Sequence, residues 1–280
     1  MTENLLTENL GVLMQVLQPS LGDGAGDDAR AILERGADHG YSLEQMLEIA
    51  QTRAGGAPLA YALGWQTFLG VDLRAAPGAL VPREETELLG RAALEVLAAM
   101  LAEMPAHRVV DMCCGAGNLA CALAVHLPDA RVWASDLTDG CVRLASANVD
   151  HLGLEQRVTI CQGDLFEPLA DLVELETIDV VVCNPPYISS KRLAEDRADL
   201  LDHEPREAFD GGPYGLSIHQ RVIRDSTAFL RPGGWLMLEF GLGQERQLER
   251  LFQRVEAFDE PVFLNDPAGA PRVVVARKKV

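Results

Sequence analysis

The sequence predicts an α/β fold, a mostly parallel, doubly wound sheet preceded by a small helical region. Three observations carry that expectation. Beyond residue 107, strand-like and helix-like segments alternate, which argues for a parallel sheet with helices on both faces. One of the strand-like runs, Ile178–Cys183, is strongly apolar. The first sixty residues read as helices and end at Gly55, Gly56 and Pro58. A chain of 280 residues, 48% of them hydrophobic, admits one large domain or two unequal ones and can bury a real core.

The first helix follows from Leu5, Leu6, Leu10, Leu13, Met14 and Leu17, which recur at helical spacing. A Gly/Asp-rich break is expected over Gly22 to Asp28. Two helices follow, Asp28 to Gly36 and Leu43 to Arg53, the second capped by Ser42. Residues 1–58 form this N-terminal helical domain. Residues 59–80, with Tyr61, Trp65, Phe68 and Gly70, are expected to be a β-hairpin linker, and 81–280 the main domain. That domain opens with a helix from about Glu84 to Met104. Strands are expected at Arg108–Met112, Arg131–Ser135, Val158–Cys161, Ile178–Cys183 and Trp235–Phe240, with two more near Val262 and Val273. The helices between them are expected at Asn118–His126, Gly140–Leu152, Ile218–Phe229 and Gln244–Phe252.

Charge narrows the function classes. Forty-two acidic residues against 24 basic ones leave a net charge of −18, and only three lysines are present. A general grip on a nucleic-acid backbone needs clustered Lys and Arg, so no direct nucleic-acid partner is expected. No run of apolar residues is long enough to span a membrane, and Met1 to Gln18 lacks the pattern of a secretory signal, so a cytoplasmic location is expected. The six cysteines, at 113, 114, 121, 141, 161 and 183, form no CxxC pair. They read as free thiols in a reducing compartment, and no metal site is expected.

The first strand of the sheet runs into Asp111-Met112-Cys113-Cys114-Gly115-Ala116-Gly117-Asn118 and then a helix. A glycine turn there lets a ligand approach the backbone and aims helix N–H groups at it, although a purely structural turn carries glycines too. Asp136 ends the next strand, nineteen residues after Gly117, where a carboxylate can accept both hydroxyls of a ribose. NAD enzymes and S-adenosylmethionine (SAM) enzymes both use that arrangement, and a helix N-cap is the alternative use. After the third strand comes Gly163-Asp164-Leu165-Phe166. In the SAM reading Asp164 reaches the adenine amino group and Leu165 packs on the ring.

The most specific signal is Asn184-Pro185-Pro186-Tyr187, directly after the fourth strand. Two prolines remove two backbone donors and stiffen the turn. Carbonyl oxygens are thereby left unpaired in the crevice where open α/β sheets bind ligands. An amide nitrogen is a poor nucleophile because its lone pair is delocalised. The Asn184 side-chain oxygen and the Pro185 carbonyl can each accept one of its N–H groups and aim its face at an electrophile. Both bonds strengthen as the nitrogen gains positive charge. The matching electrophile is the sulfonium methyl of SAM, and no general base is needed before transfer.

These residues resemble the HemK/PrmC family, the N5-glutamine methyltransferases that modify peptide-chain release factors. The resemblance also rests on Arg53-Ala54-Gly55-Gly56-Ala57-Pro58-Leu59-Ala60-Tyr61, on Leu80-Val81-Pro82-Arg83-Glu84-Glu85-Thr86-Glu87, which is similar to the family's PRPETE block, on Glu204-Pro205-Arg206-Glu207-Ala208, on Gly211-Gly212 with Gly215-Leu216, and on Pro232-Gly233-Gly234, Glu239 and Arg272-Val273-Val274. It implies a seven-stranded class I SAM methyltransferase domain, a helical domain that helps hold the release factor, and a Gly-Gly-Gln loop whose glutamine enters the site. It implies cofactor contacts from Asp111, Cys113, Cys114, Gly115, Ala116, Gly117, Asp136, Asp164, Leu165 and Asn184. Asn184, Pro185, Pro186 and Tyr187 would hold the glutamine, with Arg83 and Glu87 also on the substrate side. Asn184, Pro185 and Tyr187 would be catalytic. A monomer acting on a class 1 release factor is expected.

Two departures stand out. Cys113 and Cys114 replace the Gly and Thr of the family's turn, and a Cβ at 113 is expected to crowd the cofactor or to demand a negative φ. Glu84 replaces the second proline of the PRPETE block. Other readings stay open at this point: N-methylation of a small-molecule amide or amine, a SAM-fold scaffold that has lost catalysis, nucleic-acid methylation, and NAD-dependent oxidoreduction. The last leaves Asn184–Tyr187 without a role.

Overall fold

The computed structural model describes residues 3–100, 107–195 and 197–280. Residues 101–104 of the first expected main-domain helix lie outside the described residues. The chain divides into two compact units, one up to Gln66 and one from Thr67.

In the first unit α1 (Glu3–Leu21), α2 (Ala25–His39) and α3 (Leu43–Ala54) pack around Leu13, Leu17, Ile32, Met46 and Ala50, and α4 (Leu59–Leu63) is a short helix. The Gly/Asp-rich break is shorter than expected. A 3₁₀ turn, Gly22–Gly24, suffices, and helix resumes at Ala25. The physical reason is burial: Ala25, Ala29, Ile32 and Leu33 share one helix face and all reach the core. Ser42 caps α3 through a full capping box, its Oγ accepting from the Gln45 N–H while Gln45 Oε1 accepts from the Ser42 N–H. The span expected as a hairpin linker is therefore part helix. Only β1 (Trp65–Phe68) and β2 (Val71–Arg74) pair, around Leu69 and Gly70, both at positive φ as a tight hairpin turn requires.

In the second unit a 3₁₀ turn, Glu84–Thr86, leads into α5 (Glu87–Met100). Then come β3 (Arg108–Met112), α6 (Asn118–His126), β4 (Arg131–Asp136), α7 (Asp139–His151), β5 (Val158–Gln162), β6 (Ile178–Cys183), α8 (Ser190–Glu195), α9 (Ser217–Phe229), β7 (Leu230–Glu239), α10 (Glu245–Val255), β8 (Val262–Asn265) and β9 (Pro271–Arg277). They form a seven-stranded sheet in the order β5-β4-β3-β6-β7-β9-β8, parallel except for β9. Both faces are covered. Val109, Val180 and Val182 pack in one core with Leu89, Leu123 and Val149, while Val110, Val181 and Cys183 pack in the other with Val222, Ile223 and Phe252. The alternation along each strand thus feeds two cores.

The strand order reverses beside β3, so a crevice opens between the carboxyl ends of β3 and β6, where α/β sheets of this kind take ligands. No helix among the described residues is long and apolar enough to cross a membrane. All six cysteines are free thiols.

Candidate active site

The turns that leave β3, β4, β5, β6 and β7 converge at this crevice and line two cavities. The first encloses about 970 Å³ of empty space, part of it open to solvent, between Asp111, Cys113, Cys114, Gly115, Asp136, Asp164, Leu165 and Asn184. The second encloses about 1630 Å³ of empty space, also partly open to solvent, and is bounded by Tyr187, Tyr214, Glu239, Gln244 and four arginines, Arg83, Arg192, Arg197 and Arg272. Leu80, Arg83, Asn184 and Ala208 belong to both walls. Asn184 therefore stands where the two spaces meet.

Acidic groups of the first cavity are held in place by backbone. Asp136 Oδ1 accepts from the Thr138 N–H at 3.0 Å, and its Oδ2 accepts from the Gly115 N–H at 3.0 Å. The cap of α7 is Thr138, whose side chain accepts from the Cys141 N–H, so the N-cap use of Asp136 does not occur. Asp111 Oδ2 accepts from the Ala120 N–H at 3.0 Å, while its Oδ1 is buried without a partner. Burial, with the charge of Asp136 adding to it against the Ala120 hydrogen bond, pushes the Asp111 carboxyl up to about 8. Asp164 pairs with Arg221 at 2.8 Å, and Leu165, at φ 54°, is buried against the cavity. Cys113 overturns the expectation of a negative φ. It sits at φ 57°, in the left-handed region, so this turn keeps the backbone shape that favours glycine while carrying a side chain. Among the described residues no group of three or more His, Cys, Asp or Glu is placed to hold a metal ion.

The tetrapeptide is fixed from three sides. Asn184 Nδ2 donates to Thr86 Oγ1 at 3.0 Å. The Tyr187 carbonyl accepts from Gln244 Nε2 at 3.0 Å, and the Tyr187 hydroxyl lies 3.4 Å from Glu239 Oε1. The third support is glycine. A Cβ on Gly211 would stand 2.6 Å from the Pro186 carbonyl oxygen, and one on Gly215 would stand 2.3 Å from the Tyr187 carbonyl oxygen. The Gly-Gly…Gly-Leu segment is thus pressed onto the tetrapeptide's backbone. Among the described residues no protein donor bonds the Asn184 side-chain oxygen or the Pro185 carbonyl.

Not every expected residue lines a cavity. Pro186 lines the first and Tyr187 the second, but Pro185 is buried and bounds neither. Ala116 is packed with Ala79 and Cys141, and Gly117 starts α6 in a left-handed conformation. Arg83 pairs with the buried Glu204, which also accepts from the Val81 N–H. Glu87 accepts from the Leu69 N–H and pairs with Arg91, away from both cavities. The sequence alone marks no role for Thr86, which lies inside the Leu80–Glu87 block, nor for Ser135, Thr138 or Gln244. A lone Thr between glutamates carries no signal of its own, and only the fold brings it to Asn184.

Residues 92–212 match the family model described as the methyltransferase small domain. A release factor glutamine methyltransferase of Moorella thermoacetica is 38% identical over 227 residues, 81% of this chain and 77% of the relative. A ribosomal protein uL3 glutamine methyltransferase of Bradyrhizobium diazoefficiens is 42% identical over 143 residues, 50% of this chain and 42% of that one. Among solved structures, the catalytic domain of hMettl16 in complex with MAT2A 3′UTR hairpin 6 superposes with a TM-score of 0.57 at 16% identity, covering 81% of each chain, a likeness of fold.

Two tests follow from the geometry. With its carboxyl raised to about 8, Asp111 holds a proton in the folded protein that it loses near its ordinary 3.8 when unfolded. Its share of stability is present below pH 4 and is lost as pH rises to 8. Asp111→Asn removes that loss. The melting temperature of the variant should exceed that of the parent at pH 8 by a margin that shrinks toward pH 4, and equal margins across the range would contradict the assignment. Gly215→Ala forces both a left-handed alanine and a clash with the Tyr187 carbonyl. It should cost on the order of 1–3 kcal/mol in urea unfolding, and a neutral result would show that the contact yields freely.

Proposed function

The chain belongs to the release factor glutamine methyltransferase family, and from that premise we propose that it methylates the side-chain amide nitrogen (N5) of the glutamine in the Gly-Gly-Gln loop of a class 1 peptide-chain release factor, with SAM as donor. The observation that carries this reading is the position of Asn184 in a wall common to two cavities, with its amide nitrogen engaged by Thr86 and its oxygen left without a protein donor.

The first cavity suits the cofactor by its donor set. Asp136 offers a carboxylate for ribose hydroxyls, the unpartnered Asp111 Oδ1 an acceptor for a cationic or N–H group, and Leu137, Leu165 and Ile218 apolar surface for a base. A Cβ at Gly115 would project into open space, so nothing there obstructs a ligand lying on the backbone. When bound, SAM supplies a methyl group on a positively charged sulfur, an electrophile that needs no prior activation. Cys113, Cys114, Gly115, Asp164 and Asn184 complete its contacts.

Asn184 Oδ1, in the wall of the second cavity, accepts one N–H of the substrate amide, and the Pro185 carbonyl, directly behind that wall in the chain, accepts the other and fixes its plane. Tyr187 and Pro186 confine the side chain. As the nitrogen becomes tetrahedral and positive, both acceptors bind it more tightly, so the gain is largest in the transition state. The proton leaves after transfer. A second cavity of about 1630 Å³, partly open to solvent, is far larger than one amide side chain needs, which supports a protein loop over a small-molecule amide. The net charge of −18 supports a protein over a nucleic acid. The same reading puts a monomeric enzyme in the cytoplasm, with the helical unit helping to hold the release factor.

Mass spectrometry of purified release factor after incubation with isotope-labelled SAM should place the label on the Gly-Gly-Gln glutamine. Label found instead on a ribosomal protein, as the uL3 relative's name suggests, or on small amides alone, would replace the substrate assignment. Asn184→Ala should lower kcat on the order of 10²–10³-fold while calorimetric affinity for SAM, to which Asn184 adds one contact among several, falls far less, and near-full activity would remove Asn184 from the mechanism. Asp136→Ala should weaken SAM binding, and unchanged affinity would reject the ribose contact.

A further inference from the structure

The two cavities that meet at Asn184 are lined by opposite charge. Asp111, Asp136, Asp164 and Glu207 line the first against Arg83 alone, which suits a cofactor whose sulfur is positive. The second reverses the sign. Arg83, Arg192, Arg197 and Arg272 line it against Glu85 and Glu239, in a chain whose net charge is −18. The protein itself neutralises two of the four. Arg83 pairs with the buried Glu204, and Arg272 lies 3.4 Å from Asp266. Arg192, on α8, and Arg197, just before the 3₁₀ turn Ala198–Asp202, are left. Among the described residues no carboxylate pairs with either of them. Glu195 and Asp210, from the same stretch of chain, are held by Lys191 and Arg206 instead.

Neither the cofactor nor the reacting nitrogen calls for these guanidiniums. The cofactor is a cation at sulfur. The nitrogen is neutral before transfer and positive during it, so a nearby positive group gains nothing from either. A guanidinium is a rigid fork of N–H donors with no acceptor, and its best match is a carboxylate or a phosphate. Charge and number decide between the two. A nucleic-acid backbone is a polyanion that the rest of this chain repels, and gripping it takes many clustered Lys and Arg. Two unpaired arginines suit one acidic side chain. The rim beside them is of the protein-binding kind: Tyr214 is 85% exposed and lines the same cavity, and aromatic and arginine side chains are the types that protein partners bury.

We propose that Arg192 and Arg197 form a carboxylate-reading subsite of the second cavity, which takes an Asp or Glu side chain flanking the methylated glutamine on the substrate protein and so helps to choose the target. The inference deepens the function proposed above and rests on it for its kinetic part. Neither arginine lines the first cavity, so neither touches the cofactor. Both act in docking and not in the transfer step. Binding energy of that kind is the same in the ground state and in the transition state, and its loss shows in KM and not in kcat.

The first test needs no catalysis. In ¹⁵N-labelled protein the Nε–Hε resonances of Arg192 and Arg197, assigned by their loss in Arg192→Gln and Arg197→Gln, should shift on titration with tetraglutamate and stay in place with tetralysine. No shift with tetraglutamate would overturn the proposal. A short single-stranded RNA that shifts them at lower concentration than tetraglutamate would overturn it too, in favour of a phosphate backbone. The second test is kinetic, on release factor. Arg192→Gln/Arg197→Gln should raise KM on the order of 10-fold, with kcat and SAM affinity nearly unchanged. Arg224→Gln/Arg254→Gln removes the same charge from exposed positions outside both cavities and should leave KM where it was. Equal rises in the two double variants would reduce the effect to net charge and sink the subsite. Each Asp or Glu beside the Gly-Gly-Gln loop of the release factor is then changed to Lys in turn. One such substrate should be handled poorly by the parent enzyme, yet better than unaltered release factor by Arg192→Glu/Arg197→Glu. If none behaves so, no carboxylate is being read. A parent protein inactive on release factor would refute the substrate assignment alone, and the arginine titration would still decide the subsite.

Discussion

An oxygen can take hold of a substrate's N–H only if the protein has not already satisfied it. Interiors almost always satisfy their polar groups, so an unclaimed acceptor in a cavity wall has to be built. The turn after β6 builds one, the side-chain oxygen of Asn184. Strand pairing ends at Cys183, the two prolines bring no donors of their own, and the bonds that resume downstream are taken by other atoms: the Tyr187 carbonyl by Gln244 and the Ile188 N–H by the Phe209 carbonyl. Among the described residues the Asn184 side-chain oxygen and the Pro185 carbonyl have no protein donor, and of these two residues only Asn184 lines a cavity. The parallel sheet, the reversal of strand order beside β3 and the glycines pressed on the turn all serve to hold those oxygens still.

The electrostatics of the site depend on two carboxyls rather than on the surface charge. Asp111 near the end of β3 and Glu239 at the end of β7 flank the tetrapeptide, one at each cavity, and both are pushed above the usual carboxylate range by burial, to about 8 and about 7. Each has an oxygen without a partner. A buried carboxyl with an unpartnered oxygen weakens the folded protein, and such groups cluster at functional sites. Among the described residues, Asp111, Asp179, Glu204 and Glu239 are the buried acidic groups, and the remaining excess of acid is outside the core.

The sheet was readable because apolar runs and helical periodicity are local signals. Asn118–His126 and Ile178–Cys183 end where the pattern says they should. The start of α2 was not readable: Gly22 to Asp28 has the composition of a break, and only burial of Ala25 and Ala29 makes it helical. The site shows the same division. Asn184–Tyr187 and the glycine turn announce themselves by residue type, whereas Thr86 and Glu239 look like the solvated start of a helix and the end of a strand. Thr86 meets Asn184 across 98 positions of chain and Glu239 meets Tyr187 across 52, contacts that no local pattern contains. Cys113 shows a limit of another kind, since the fold imposed a left-handed backbone on a residue that ordinarily avoids it.

Gly211 and Gly215 act as a mould for the tetrapeptide, and a mould cannot be re-cut without distorting its cast. Any drift toward a different target protein is therefore barred from this side of the opening. It has to be accommodated where side chains are free to change, around Arg192, Tyr214 and Leu242, with Tyr214 85% exposed. Reaction type and choice of target are in that sense written in separate parts of the same rim, and one can be exchanged while the other is retained.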